Sequence, residues 1–315
     1  MTIITLSAAR APGLGDTLVI HGGIVPPGWW ITRELGRGGQ AIALELRNAT
    51  GARRALKVDT SACGDGDTRL RREADLLNQV ASPYLPQLHE VREAGGRLGL
   101  VLDLLDGIDL RRWLCVAPLS GRIRAVLDVA RAAEVLHRAG VVHRDISPMN
   151  VRVVVARSGP RAVLFDLGIA LSHKGAKDAT AEPATLTGAS LGTLGYAAPE
   201  QLNDGHSATP RSDVFSLGAL LYEAVTGRPA FRARSISHAI TQALARTWDD
   251  LDTSADHVPP AVRALIRRSL SPEPLRRPAD GDGFRAALEA AWRSGAVSPP
   301  IAALEDKAGS RETLW

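Results

Sequence analysis

Lysine is scarce in this 315-residue chain: of 38 Lys plus Arg, only Lys57, Lys174, Lys177 and Lys307 are lysine. Cysteine is scarcer, and Cys63 and Cys115 have no metal-ligand spacing; they suit a reducing cytosol without disulfides. No apolar run approaches the ~20 residues of a membrane-spanning helix. Residues 1–12 lack a basic region ahead of an apolar stretch, so no secretory leader is expected. Charge of one sign is not concentrated anywhere. With a net charge of +4 and scattered basic residues, a nucleic-acid partner is not expected. The expectation is a soluble, cytoplasmic globular protein, 45% hydrophobic, with ample sequence for a buried core.

Residues 1–28 read as a Gly- and Pro-containing extension ending in Pro26-Pro27-Gly28. From Trp29 to about Val101, short apolar stretches alternate with turn signals such as Asn48-Ala49-Thr50-Gly51 and Gly95-Gly96, and one helical pattern, 70–80, interrupts them. From about 110 the pattern turns helical, over 123–139, 214–225, 236–245, 260–270 and 283–292. A strand-rich first third and a helix-rich remainder predict an α+β, two-lobed architecture. Residues 293–315 turn polar and read as a tail.

Chemistry concentrates in Val142-His143-Arg144-Asp145-Ile146-Ser147-Pro148-Met149-Asn150, which follows an apolar run, and in Phe165-Asp166-Leu167-Gly168. An acid that can accept a hydroxyl proton, with an Asn and an Asp able to hold a divalent metal on phosphate oxygens, is what phosphoryl transfer requires. Upstream, Leu35-Gly36-Arg37-Gly38-Gly39-Gln40-Ala41 suggests a hairpin whose glycines let backbone amides approach phosphate. Lys57, in Ala55-Leu56-Lys57, is a lone compact ammonium in an apolar strand of an arginine-rich protein, which suggests that a point charge is needed there.

These motifs, in this order, resemble those of eukaryotic-type serine/threonine protein kinases, including the bacterial ones, over roughly residues 29–292. The resemblance implies a small β-rich lobe (about 29–102) with one main helix, a hinge (about 103–109) and a larger helical lobe (about 110–292). It implies that Asp145 is the catalytic acid-base group, and that Lys57, braced by Glu73, fixes the nucleotide phosphates. Asn150 and Asp166 would hold Mg²⁺, with Mn²⁺ as a substitute, and Thr193 would support Asp145. ATP would lie against Leu35, Gly36, Gly38, Gly39, Ala43 and Ala55, with its adenine on the backbone of Asp103 and Leu105, Leu102 behind it and Asp109 at the ribose. Gly192 to Glu200 resembles the close of an activation segment that receives a protein substrate, with Glu200 paired to Arg277 and Asp213 anchoring the catalytic loop. Leu77, Leu88, Leu167 and His143 would form an apolar column. Arg144 implies control by phosphorylation, with Thr185 and Thr187 as acceptors.

Four positions depart from the family pattern. Ser147 stands where the family has Lys, and its hydroxyl is expected to hydrogen-bond Asp145 or the incoming hydroxyl. Ala41 replaces the third glycine, Ala43 replaces a valine over the adenine, and Arg152 replaces an apolar pocket floor. The expected activity is phosphoryl transfer from ATP to Ser/Thr of protein substrates. The rival readings are a pseudokinase acting as a nucleotide-responsive binding module and, less favoured, a small-molecule phosphotransferase.

Overall fold

The structure, a computed structural model, describes residues 3–6, 18–38, 41–60, 69–156, 159–167, 171–172 and 193–295. Strands β1 (Ile3–Leu6) and β2 (Leu18–His21) pair antiparallel. Next come β3 (Trp29–Arg37), β4 (Ala41–Asn48), β5 (Arg53–Asp59), helix α1 (Arg69–Gln79), β6 (Leu88–Ala94) and β7 (Arg97–Asp103). The five strands β3 to β7 form one antiparallel sheet in the order β3-β4-β5-β7-β6.

Period-two alternation explains the two faces of this sheet. Ile42, Leu44 and Leu46 of β4, with Leu56 and Val58 of β5, are fully buried on one face. Ile24 and Val25 close that face, although the sequence reading leaves them in the extension. The reason is local: Gly99 has no side chain, and a Cβ there would stand 3.1 Å from Ile24 and 3.2 Å from Leu56. On the opposite face, Ala43 lies across from Lys57 and Lys57 across from Leu100. α1 covers this side with Leu70, Glu73, Ala74 and Leu77, a helical i, i+3, i+4, i+7 stripe in which one position is an acid.

The second lobe begins with β8 (Gly107–Asp109), α2 (Leu110–Val116), α3 (Leu119–Arg138) and β9 (Val141–Val142). β10 (Val151–Ala156) and β11 (Gly159–Leu164) form a hairpin that β8 joins, and β12 (Leu171–Ser172) pairs with β9. Helices α4 (Pro199–Asn203), α5 (Pro210–Thr226), α6 (Ile236–Ala245), α7 (Leu251–Ser254), α8 (Pro260–Ser269) and α9 (Gly281–Gly295) follow. α5 is buried on every side from Ser212 to Val225, as a helix apolar on all faces requires, with Ser212, Asp213, Ser216 and Glu223 the buried polar positions, and serves as the central pillar. It starts before the apolar run because Thr209 and Ser212 form a capping box, with Pro210 at the first helical position. Gly227 ends it in the left-handed conformation (φ 73°).

One apolar cluster spans both lobes, from Leu77 of α1 through Leu167 to Phe215 of α5 and Phe284 of α9, with Leu88 packed on it and His143 fully buried. Among the described residues no helix is long and apolar enough to cross a membrane.

Candidate active site in the interlobe cleft

Strand β5 and helix α1 carry the first pair. The Lys57 Nζ donates to Glu73 Oε2 at 2.6 Å and to Asp166 Oδ1 at 2.9 Å. Glu73 is 2% exposed, and burial pushes its carboxyl up while Lys57 opposes that. Burial also works against the Lys57 charge, yet the two carboxylates outweigh it and hold the ammonium's pKa above its usual value. Lys57 is therefore a fixed cation at the mouth of the cleft, gripped from both lobes.

Asp145 lies three residues past the end of β9. Its Oδ2 and its main-chain carbonyl each accept a hydrogen bond from Asn150 Nδ2, at 2.8 Å. Burial pushes the Asp145 carboxyl up to about 7; Asn150 opposes the shift, and the charges of Asp166 and Asp213 add to it. A carboxyl that titrates near neutrality suits a group that must take up a proton. Below the loop, fully buried Asp213 accepts from the His143 amide, the Arg144 amide and His137 Nε2, at 2.8 Å each. Burial and those three donors act on Asp213 in opposite directions, and the donors prevail, keeping its carboxyl below the usual range.

Arg144 (φ 73°) and Asp166 (φ 67°) both sit in the left-handed region that non-glycine residues rarely adopt. Such backbone persists only where its surroundings over-determine it, and it gathers at functional sites. Here Asp213 clamps the first residue and Lys57 grips the second.

The residues expected around a nucleotide lie on β3, β4, β5 and β8, in the β3–β4 turn and in the hinge. Leu35 is half-buried on β3, and Gly36 and Gly38 lie at the β3–β4 turn, where the Gly38 amide donates to the Ala41 carbonyl at 2.8 Å. A Cβ at Gly36 would meet nothing within 4 Å, and one at Gly38 only the Ala41 carbonyl oxygen at 3.7 Å. Among the described residues, neither glycine is required by close packing. Ala43 and Ala55 are half-buried on β4 and β5. In the hinge, Asp103 gives its amide to the Gln87 carbonyl, so an adenine contact there falls to its carbonyl; Leu105 is half-buried beside it. Asp109 caps α2 by accepting from the Arg112 amide at 2.8 Å, and Arg152 lies opposite it in the β10–β8 ladder. Gly39, Thr185 and Thr187 lie outside the described residues. Thr193 is half-buried at the start of the segment that leads to Glu200.

Ser147 departs from expectation. It is fully buried, and its Oγ has no hydrogen-bond partner among the described residues, so it does not bond Asp145. Asn150 occupies that role because its amide turns inward from the 3-10 turn Pro148–Asn150 and reaches both Asp145 oxygens.

Beyond the catalytic loop, Arg277 holds Glu200 in a two-pronged pair, Nη1 to Oε1 at 2.7 Å and Nη2 to Oε2 at 3.0 Å. Its guanidinium also donates to the carbonyls of Ser271, Pro272 and Arg211, and it stacks 4.9 Å over the Phe215 ring. Tyr196 donates to Glu223 at 2.5 Å, tying the same segment to α5. Two supporting residues escape a motif-based reading. Ser212 donates to Glu200 Oε1 at 2.7 Å. His137 bridges Asp213 and the Gly281 amide, which donates to His137 Nδ1 at 2.9 Å. Its signal was present: His137 follows Ala133 by four and Ala130 by seven, a polar residue on the buried stripe of α3.

A β-rich lobe set on a helical one, with Lys57 held by Glu73 and Asp166 and with Asp145 bound by Asn150, has the bilobal architecture of the protein kinase class. The chain matches the protein kinase domain model over residues 29–292 and belongs to that family, in its bacterial serine/threonine branch. It is 31% identical to serine/threonine-protein kinase PknE of Mycobacterium bovis over 272 residues, 83% of this chain and 45% of that protein. It is 31% identical to serine/threonine-protein kinase PknD of Mycobacterium tuberculosis over 259 residues, 78% of this chain and 37% of that protein. With serine/threonine-protein kinase PknJ of Mycobacterium bovis the identity is 32% over 291 residues, 88% and 48% of the two chains. The chain thus spans less than half the length of these curated relatives.

Proposed function

We propose that this chain is a serine/threonine protein kinase that transfers the γ-phosphoryl group of ATP to hydroxyls of protein substrates. The observation that carries the reading is the double grip on Lys57, by Glu73 from the first lobe and Asp166 from the second. A merely borrowed scaffold has no need to hold a cation between two acids at 2.6 and 2.9 Å.

The donor set fits a magnesium nucleotide. Asn150 spends both described bonds of its Nδ2 on Asp145, which points its amide oxygen elsewhere, and Asp166 adds a half-exposed carboxylate. Two hard oxygen ligands with the rest from phosphate and water is the usual way such sites hold Mg²⁺, and Mn²⁺ would substitute. Asn150 and Asp166 would hold this ion, whose chemistry here would be neutralisation of charge on the transferring phosphate. Lys57 would fix the non-transferring phosphates, and the backbone at Gly36 and Gly38 would lie along them. Asp145 would orient the substrate hydroxyl and take up its proton. Arg144 and the acceptors Thr185 and Thr187 fit control by phosphorylation of the activation segment; an active preparation carrying no phosphate between residues 171 and 191 would refute that part.

One observation favours a second reading, a nucleotide-responsive pseudokinase. Ser147 supplies no cation for the transferring phosphate, and among the described residues its buried hydroxyl has no hydrogen-bond partner. The Glu200–Arg277 pair beside an activation-segment close speaks against a small-molecule phosphotransferase. Radiolabelled ATP with a generic basic protein, comparing wild type with Asp145→Ala, separates these: label that depends on Asp145 is expected, and none from either protein would leave the pseudokinase.

A further inference from the structure

We propose that Gln201 is a positioning residue for the catalytic loop, acting through the main-chain carbonyl of Arg144; its effect on turnover rests on the kinase reading above. Gln201 follows Glu200 on α4, the helix that Arg277 fastens to the second lobe. Its side chain is buried (3% exposed), and Nε2 donates to the Arg144 carbonyl oxygen at 2.6 Å. Its Oε1 has no partner among the described residues. Turning the amide over would set Oε1 against a carbonyl oxygen, so the donor orientation follows from the chemistry of the contact. A buried amide with half its hydrogen-bonding capacity unused is poor material for stability alone, since an apolar side chain would fill the space without that cost.

The contact falls on a residue that needs holding. Arg144 is in the left-handed region, at φ 73°. From below, Asp213 takes the amides of His143 and Arg144. From the side of α4, Gln201 takes the carbonyl of the same residue. That carbonyl shares a rigid peptide plane with the Asp145 amide, which donates to His143 Nδ1 at 3.2 Å. Rotation of this plane would swing the Asp145 carboxylate; among the described residues His143 opposes it at the N–H end and Gln201, from the α4 side, at the carbonyl end. A shift of α4 is thereby passed to the acid-base group through one hydrogen bond, and the segment that closes at Glu200 sits directly on the other end.

The test compares wild type with Gln201→Met, which keeps length but has no donor, and Gln201→Glu. Hydrogen–deuterium exchange across residues 143–146 reads the clamp without turnover. Faster exchange in Gln201→Met is expected, and unchanged exchange would overturn the proposal. In assays with ATP and a basic protein, Gln201→Met should lose about tenfold or more in kcat, the scale of one buried hydrogen bond. Its KM for ATP should hold and its melting temperature should not fall. A protonated glutamic acid still offers an O–H to the Arg144 carbonyl, so Gln201→Glu should lose activity as pH rises, opposite to the rise expected of wild type. Wild-type kcat in Gln201→Met, or losses shared equally by ATP binding and melting temperature, would overturn the positioning role. Faster exchange with a wild type that transfers no phosphate would sustain the clamp and sink the kinase reading instead.

Discussion

Asn150 Nδ2 donates to the Asp145 carboxylate and to the Asp145 main-chain carbonyl at the same distance, 2.8 Å. One amide therefore fixes the direction of the acid-base group and eases its ionisation, while burial keeps its pKa up at about 7. Only the ionised form can accept a hydroxyl proton. The kcat/KM profile at limiting substrate, which reports the free enzyme, should fall tenfold per unit below about pH 7. Asn150→Asp removes the donor and adds a like charge, so its acidic limb should move to higher pH.

The same shift has a stability consequence. In the fold Asp145 prefers its proton, with a pKa of about 7 against about 3.9 in an unfolded chain. Its charge therefore destabilises the protein increasingly as pH rises between those values, fully above the upper one and not at all below the lower one. Asp145→Asn should stabilise the fold at pH 8, by on the order of 1–3 kcal/mol, and so raise the melting temperature there, while leaving it unchanged near pH 3.5. Thermal melts at both pH values check this, with catalysis lost throughout.

Lys57 and Glu73 supply a third prediction. Glu73 is 2% exposed with its carboxyl bonded to Lys57, so Lys57→Met leaves an acid buried without its counter-ion. Removing one partner of such a pair costs about 3–5 kcal/mol, part of which Glu73 recovers by taking a proton. Adding Glu73→Gln to Lys57→Met should restore most of the melting temperature but none of the phosphotransfer.

Lys57 and Asp166 stand out in the sequence by position, a lone Lys in an apolar strand and an Asp closing an apolar run, whereas Glu73 is singled out only through the family resemblance. The α+β division was legible for a similar reason, since period-two and helical patterns change over near the hinge. Ile24 and Val25 were not, because two apolar residues between Gly23 and Pro26 carry no period; their place depends on the bare backbone of Gly99, brought there from another strand. The clamp on Arg144 was equally hidden. A motif names Asp213, but the carbonyl contact from Gln201 depends on a turn of backbone that no side-chain pattern announces. Ser147 misled in the opposite way: a hydroxyl beside an acid suggests a bond, and the turn at Pro148–Asn150 instead seals it in the interior.

That sealing makes Ser147 informative. A buried hydroxyl without a partner is a net cost, so Ser147→Ala should match or exceed wild-type stability, by up to about 1 kcal/mol. Its kcat should stay within about twofold of wild type, since one unmade hydrogen bond is worth little. A large loss in kcat at unchanged melting temperature would show that the hydroxyl turns toward substrate during turnover.

The nucleotide pocket offers a gain rather than a loss. Ala43 is half-buried on β4, directly across the ladder from Lys57, on the face expected to cover the adenine. Ala43→Val adds two methyl-sized groups to that face, and its β-branch suits a strand. At ~0.8 kcal/mol per group the addition is worth about 1.5 kcal/mol of nucleotide affinity, or roughly tenfold in Kd. The gain should appear for ATP and ADP alike, because both present the same base, and should leave the pH profile of kcat in place. Calorimetric titration of wild type and Ala43→Val with both nucleotides measures it. Tighter binding of ATP alone would place residue 43 near the phosphates rather than over the base, and no change would mean that adenine does not lie against β4.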